Sequence, residues 1–505
     1  MRNSPNACGR LAWLPLIALL AVPSAGVRAQ QMGAPVPQET PPPPAAPRSV
    51  NIPKPDEKTL KNGLRVVVIE DHDVPLVSAQ LLVKNGGEID PPQLSGLADM
   101  TASLLTKGTK TRSAPEIAQQ IEALGGGIES GAGWDASRAS INVMSSRIEP
   151  ALVILADISR NPVFNDEEIE RLRQQYLDSL SVTLRQPGAL ASLVAGRVVF
   201  GDAAYGHPLS GTPESLARIK RADILGLHSQ FYRPDNAVLV VGGDIMAADA
   251  FKLAERLFGD WVKPSTPLPG RGMVGKMINP DEKQRVVVVD MPDAGQAAVV
   301  LARAGISRTD PDYFRGTVTN AVLTGYSGRL NQEIRIKRGL SYGAGSRLDA
   351  RRDAGPFVAS AQTKNTSGAE VASLLVGELG RLSNEPVAAA ELVPRKAVLT
   401  GGFGRALETT EGLVAQIASL SLHGLSLSEI NNYISNVQSV TPADIQKFAS
   451  GRISVKNANI IIVGSAKEFI EPLRKQFSNV EVIPLAELDL NSASLRKTGA
   501  AAINK

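Results

Sequence analysis

A single cysteine, Cys8, occurs in the 505 residues, so no intrachain disulfide and no multi-thiolate metal site can form. Histidine is almost as scarce. His72, His207, His228 and His423 include no pair three or four residues apart, and no dense carboxylate cluster surrounds any of them. A zinc site needs several converging ligands and one helix offers two only at that spacing, so each is expected to be structural or on the surface. No Gly-x-Ser-x-Gly elbow stands at a strand-to-helix turn. The Gly125-Gly126-Gly127 run lacks the lysine and following helix of a phosphate loop. Beyond the N-terminus, no stretch approaches ~20 continuous apolar residues, the length of a membrane span.

The chain begins differently. Arg2 and Arg10 precede an apolar run from Leu11 to Val22, and Val27-Arg28-Ala29 offers a small-residue cleavage site. This reads as a secretory signal over residues 1–29 and implies a periplasmic or secreted bacterial protein, with an uncleaved signal acting as an anchor as the open alternative. Removing it takes away three arginines, no acid and the lone cysteine. The formal charge falls from +4 to +1, which gives no reason to expect nucleic acid as a partner. Residues 30–54, centred on Pro41-Pro42-Pro43-Pro44, have the composition of an extended linker.

With 43% hydrophobic residues, the remainder has ample material for large cores, and it is built twice. Arg65-Val66-Val67-Val68 recurs 220 residues later as Arg285-Val286-Val287-Val288. Ala222-Asp223-Ile224 recurs 221 residues later as Ala443-Asp444-Ile445, each followed by an Asn, an apolar strand and a Gly. A shared offset at both ends of a domain-sized unit is the mark of duplication. Short apolar strands (Arg65 to Ile69, Leu76 to Val83, Ile141 to Met144, Ala237 to Val241) alternate with amphipathic stretches (Leu97 to Thr106, Ala114 to Ala123, Pro150 to Asn161, Asp166 to Leu184). The expected organisation is two homologous α+β halves, 55–270 and 285–490, each a mostly antiparallel sheet covered by helices. A Pro- and Gly-rich linker, 271–284, joins them, and a tail, 491–505, follows.

Gly96-Leu97-Ala98 and Lys107-Gly108-Thr109 bracket a helix-like stretch, and four further segments follow in order. They are Leu60 to Val66, Tyr205 to Glu214, Tyr232 to Gly242, and Arg335-Ile336-Lys337-Arg338-Gly339-Leu340-Ser341-Tyr342. Together these resemble the insulinase/pitrilysin family of zinc metallopeptidases, whose zinc helix carries His-x-x-Glu-His between the same brackets. The resemblance implies a clamshell of two halves around a peptide. It places the ligand and general-base positions at Asp99, Ala102 and Ser103 and a distal ligand at Ser179, beside Asp178. One carboxylate, a methyl and two neutral hydroxyls do not hold zinc, so no metal or other cofactor is expected in this chain.

The resemblance further implies that Arg335 and Tyr342 are donors to the substrate carbonyl and its oxyanion, and that the strand through Ile128, Glu129 and Ser130 is an edge to which a peptide adds. Without family knowledge, Arg335 reads as a surface residue, Tyr342 as a packed one, and residues 124–132 as a hairpin connection. Some family members divide the work between two chains. The expected function is therefore the metal-free subunit of a heterodimeric zinc peptidase, inactive alone, with a zinc-bearing partner and a peptide substrate. Two alternatives stay open: a non-proteolytic peptide-binding, chaperone-like or scaffold protein of the same fold, and a weak hydrolase with an unconventional metal site near Asp99 and Asp178.

Overall fold

In a computed structural model of the chain, residues 52–270 and 283–497 are described. The signal segment, nearly all of the first linker, most of the second and the end of the tail lie outside the described residues.

The first half runs β1 (Asp56–Thr59), β2 (Arg65–Glu70), β3 (Leu76–Val83), α1 (Leu97–Ser103), α2 (Ala114–Ala123), β4 (Gly127–Ala132) and β5 (Ser137–Met144). It continues with α3 (Ile148–Arg160), α4 (Asp166–Thr183), α5 (Pro187–Phe200), α6 (Pro213–Arg218), α7 (Arg221–Phe231), β6 (Ala237–Gly243) and α8 (Ala247–Phe258). Its sheet has the order β1-β2-β6-β3-β5-β4, antiparallel except for β2 beside β6.

The second half runs β7 (Val286–Asp290), β8 (Ala297–Ala304), α9 (Tyr313–Leu323), α10 (Arg329–Asn331), β9 (Ala344–Leu348) and β10 (Pro356–Thr363). Then follow α11 (Gly368–Asn384), α12 (Ala389–Leu407), α13 (Thr410–Leu422), α14 (Glu429–Ser439), α15 (Pro442–Arg452), β11 (Asn459–Gly464), α16 (Ile470–Gln476) and β12 (Val480–Pro484). Its sheet has the order β12-β7-β11-β8-β10-β9, with β7 parallel to both β11 and β12. The repeated sequences occupy equivalent places: the Arg-Val-Val-Val runs form β2 and β7, and the Ala-Asp-Ile runs lie in α7 and α15. In each of those helices the aspartate closes the N-terminus by accepting from a backbone N–H three residues earlier. The outermost strand is added differently, from the N-terminal side in one half and the C-terminal side in the other.

Alternation along the valine-rich strands gives each sheet two apolar faces. In the first sheet Val66 and Val68 join a core with helices of their own half, while Val67, Ile69, Val238 and Val240 face Leu413, Val414, Ile417 and Ala418 of α13. In the second, Val286 and Val288 face their own helices, while Val287, Val289, Val300 and Ile461 face Leu190, Ala191 and Val194 of α5. Each half thus lends one helix, at the same place in its order, to cover the other's sheet. Residues past β12 add a further tie: the guanidinium of Arg197 on α5 donates to the Leu490 carbonyl at 2.6 and 3.1 Å, and Leu495 is fully buried.

Candidate functional site

Helix α1 starts at Gly96, whose left-handed φ of 95° suits glycine, and Asp90 accepts from the Gly96 and Ala98 N–H groups at 2.9 and 2.8 Å. Leu97, Ala98, Met100, Thr101 and Ala102 are buried. Asp99 and Ser103, one turn apart, are left half-buried on one face. Asp99 accepts from Ser210 Oγ at 2.9 Å, and the Ala132 backbone at the end of β4 and the Tyr176 hydroxyl lie near enough to favour its charged form. Burial raises its carboxyl above the usual carboxylate range, against the pull of those donors. Ser103 Oγ lies 2.9 Å from Tyr176 Oη. Burial, and then the Asp99 charge, push the Tyr176 phenol above its ordinary value.

The partner that α4 presents to α1 is therefore Tyr176, and Ser179 is a correction. The buried face of α4 follows Ile169, Leu172, Tyr176 and Leu180, a helical repeat from which Ser179 is turned away. Ser179 is exposed. Asp178 is also exposed, accepting from Gln174 Nε2 at 2.8 Å, so it shares no site with Asp99. Ala102 has no donor atom. A set of one carboxylate and hydroxyls already bonded to one another does not fit zinc, which takes nitrogen, thiolate or several carboxylate ligands. Among the described residues, no three His, Cys, Asp or Glu side chains converge as a metal site. The histidines are separately placed: His72 against Asp244 on the surface, His207 against Arg197, His228 against the Ser159 carbonyl, and His423 half-buried.

Beside this cluster β4 forms the outer edge of the first sheet. Ile128 packs on the core, Glu129 is exposed, and Ser130 keeps a buried hydroxyl with no bonding partner among the described residues.

In the second half, α10 continues into a wider turn over Gln332–Lys337. Buried Ile334 anchors it, and the Glu333 carboxylate ties it by accepting from Lys337 and Arg338 at 2.8 and 3.0 Å. Arg335 is exposed, its guanidinium carbon 5.6 Å from the centre of the Tyr326 ring. Thr363 Oγ1 donates to the Leu340 carbonyl at 2.6 Å, fixing the loop just before Tyr342, which is 89% exposed. Among the described residues, no hydrogen bond or ring contact joins Arg335 or Tyr342 to Asp99, Ser103 or Tyr176. Gly339 to Gly343 spells Gly-x-Ser-x-Gly, but it leads from a helix into β9, and Ser341 Oγ donates to the Gly343 carbonyl at 2.6 Å.

The halves meet at a polar junction the sequence did not announce. The Arg351 guanidinium lies between the rings of Trp134 and Tyr205, 4.6 and 4.7 Å from their centres. Its neighbour Arg352 pairs with the buried carboxylate of Glu88 at 2.9 Å.

Comparison with known proteins gives this geometry a context. The model for insulinase, peptidase family M16, matches residues 65–195, and that for the peptidase M16 inactive domain matches 218–399. An uncharacterized zinc protease of Rickettsia bellii is 27% identical over 417 residues, 80% of this chain and 96% of that protein. One of Streptomyces coelicolor is 25% identical over 418 residues, 81% and 89%. Among solved structures, a peptidase M16 inactive domain from Pseudomonas fluorescens has a TM-score of 0.75 at 26% identity, covering 81% of this chain and 98% of that one. A protease from Helicobacter pylori shares the fold, with a TM-score of 0.75 at 21% identity over 82% of this chain and all of that one. With both of its halves matched and the fold shared, this chain belongs to the insulinase family of peptidases, family M16.

Proposed function

We propose that this chain is the metal-free subunit of a two-chain zinc peptidase, exported from a bacterial cell, which grips a peptide and supplies donors for hydrolysis at a metal held by its partner. The observation that carries this reading is the contrast between donors and ligands. Arg335 and Tyr342 stand exposed on an anchored loop, while Asp99, Ser103, Tyr176 and Ser210 are hydrogen-bonded within their cluster and offer a single carboxylate where zinc needs several ligands.

A phenol and a guanidinium aimed outward suit a carbonyl oxygen that gains negative charge as its carbon is attacked; such donors accelerate the step because they bind that oxygen more tightly as its charge grows. The free edge of β4 supports a grip on extended backbone, with Ile128, Glu129 and Ser130 as the strand that pairs with it. A route for the partner is supported by α12, whose exposed face carries Val393 and Val398. Its flank is joined to the loop beside Tyr326 by Arg395 bonding Ser327 Oγ at 2.6 Å and Glu391 pairing with Arg329 at 2.8 Å.

The test is to purify the chain alone and together with a zinc-bearing relative from the same organism that has intact His-x-x-Glu-His. Peptide hydrolysis is expected only from the pair. Turnover by the chain alone, or failure of the two to assemble, would overturn the proposal, and the second result would favour the scaffold or chaperone-like alternative.

A further inference from the structure

The two exchanged helices occupy equivalent places but pack differently. The second residue of α13 is Glu411, which accepts from Asn142 Nδ2 on β5 and so ties the helix to the strand. The second residue of α5 is Gly188. A Cβ there would lie only 2.8 Å from the Gln362 Nε2 of β10, so glycine leaves the space in front of that amide open. Along the same helix, Ser192 and Gly196 are also small.

The outcome is a groove between α5 and the β9–β10 end of the second sheet, made of two adjoining cavities that share Ser192, Gly345 and Ser360. The outer cavity, about 620 Å³, has Tyr342 at its rim and is lined by the amides of Gln296 and Gln362 with small residues between them. Among the described residues, neither amide has a hydrogen-bond partner. The inner cavity, about 530 Å³, runs to the seam between the halves; Trp134, Leu193, Val199, Leu209, Pro356 and Val358 form its apolar wall, and Arg347, Asp349 and Arg351 also line it. Both volumes fall within the ~300–1,000 Å³ of ordinary ligand sites.

We infer that this groove binds the flank of an extended peptide, with backbone amides met by Gln296 and Gln362 and an apolar side chain, aromatic or aliphatic, seated in the inner cavity. The chemistry divides as a peptide's does: free amides that both donate and accept near the rim, and behind them a mainly apolar wall whose charged members, Arg347, Asp349 and Arg351, stand along one side. Tyr342 at the rim makes the groove continuous with the proposed reaction site, so this inference rests on that reading and names its substrate class.

The experiment uses the whole exported chain without its partner, so it does not depend on assembly or turnover. Acetylated, amidated Ala-rich octapeptides with one central Phe or Ser are titrated by calorimetry. The Phe peptide is expected to bind about ten-fold or more tightly than the Ser peptide, the order that burying one aromatic side chain supplies. Gly196→Leu points a side chain into the inner cavity, where a Cβ meets nothing closer than 3.8 Å. It should erase the preference for Phe without lowering the unfolding temperature, since leucine is the better helix former. Gly188→Glu, which copies the Glu411 bridge, should weaken both peptides. Equal binding of the Phe and Ser peptides, or a Gly196→Leu protein that keeps the preference, would overturn the groove while leaving the two-chain proposal standing. A preserved preference in a protein whose assembled activity ignores Tyr342 would do the reverse.

Discussion

The two halves carry one architecture twice and spend their polar residues in opposite ways. In the first, Asp99, Ser103, Tyr176 and Ser210 bond to one another at a half-buried position. In the second, Arg335 and Tyr342 project from a firmly anchored loop, and Tyr342 meets almost nothing of its own chain. A self-satisfied cluster stabilises a fold. Exposed side chains on an anchored loop have no such use, and under the proposed function they meet a peptide from outside. Burial and partner count therefore separate the two sets more sharply than residue type does.

Substitutions on each side can break that contrast. The largest effect is expected in the second half: in the assembled pair, Tyr342→Phe or Arg335→Ala should lower kcat by ~10²–10³-fold, the order found when one oxyanion donor is lost, with unfolding unchanged. Unaltered steady-state rates would show the exposed pair to be idle. At the junction, Arg352→Ala strands the Glu88 carboxylate, whose side chain is 1% exposed, and should cost ~3–5 kcal/mol in denaturant unfolding. A loss below ~1 kcal/mol would mean that water reaches Glu88.

A third test concerns pH. Burial lowers the His228 imidazole to about 4, so the unfolded chain takes up its proton first, near pH 6.5. The sign follows: with more protons bound when unfolded, stability due to this site is complete above pH 6.5 and is lost as pH falls towards 4. Relative to His228→Phe, the native protein should lose ~1.4 kcal/mol per pH unit across that window. The difference between the two proteins is the proper readout, because buried Asp90 and Glu88, with raised values, act in the opposite direction. A pH-independent difference would place His228 in water. The smallest effect belongs to the first half: Tyr176→Phe removes the bond to Ser103 and should cost ~1–2 kcal/mol of stability while leaving assembled turnover within a few-fold. A large loss of rate would move that cluster from remnant to working site.

Much of this architecture was legible beforehand. Valine runs at a fixed offset foretold β2 and β7, and the bracketing Gly-Leu-Ala and Lys-Gly-Thr located α1 with its ligand positions changed. What escaped had long-range causes. Counting along the chain led to Ser179, but the inward face of α4 is set by packing on Ile169 and Leu172, which selects Tyr176. The exchange of α5 and α13 was hidden because both helices are apolar enough to cover either sheet, and nothing local says which. Arg351 and Arg352 carry no local sign of their contacts, since Trp134, Tyr205 and Glu88 stand more than a hundred residues away.

The most direct measurement is the metal content and peptidase rate of this chain purified without its partner. The account predicts no stoichiometric zinc and no turnover above buffer. One zinc per chain together with hydrolysis that survives removal of every other protein would contradict it.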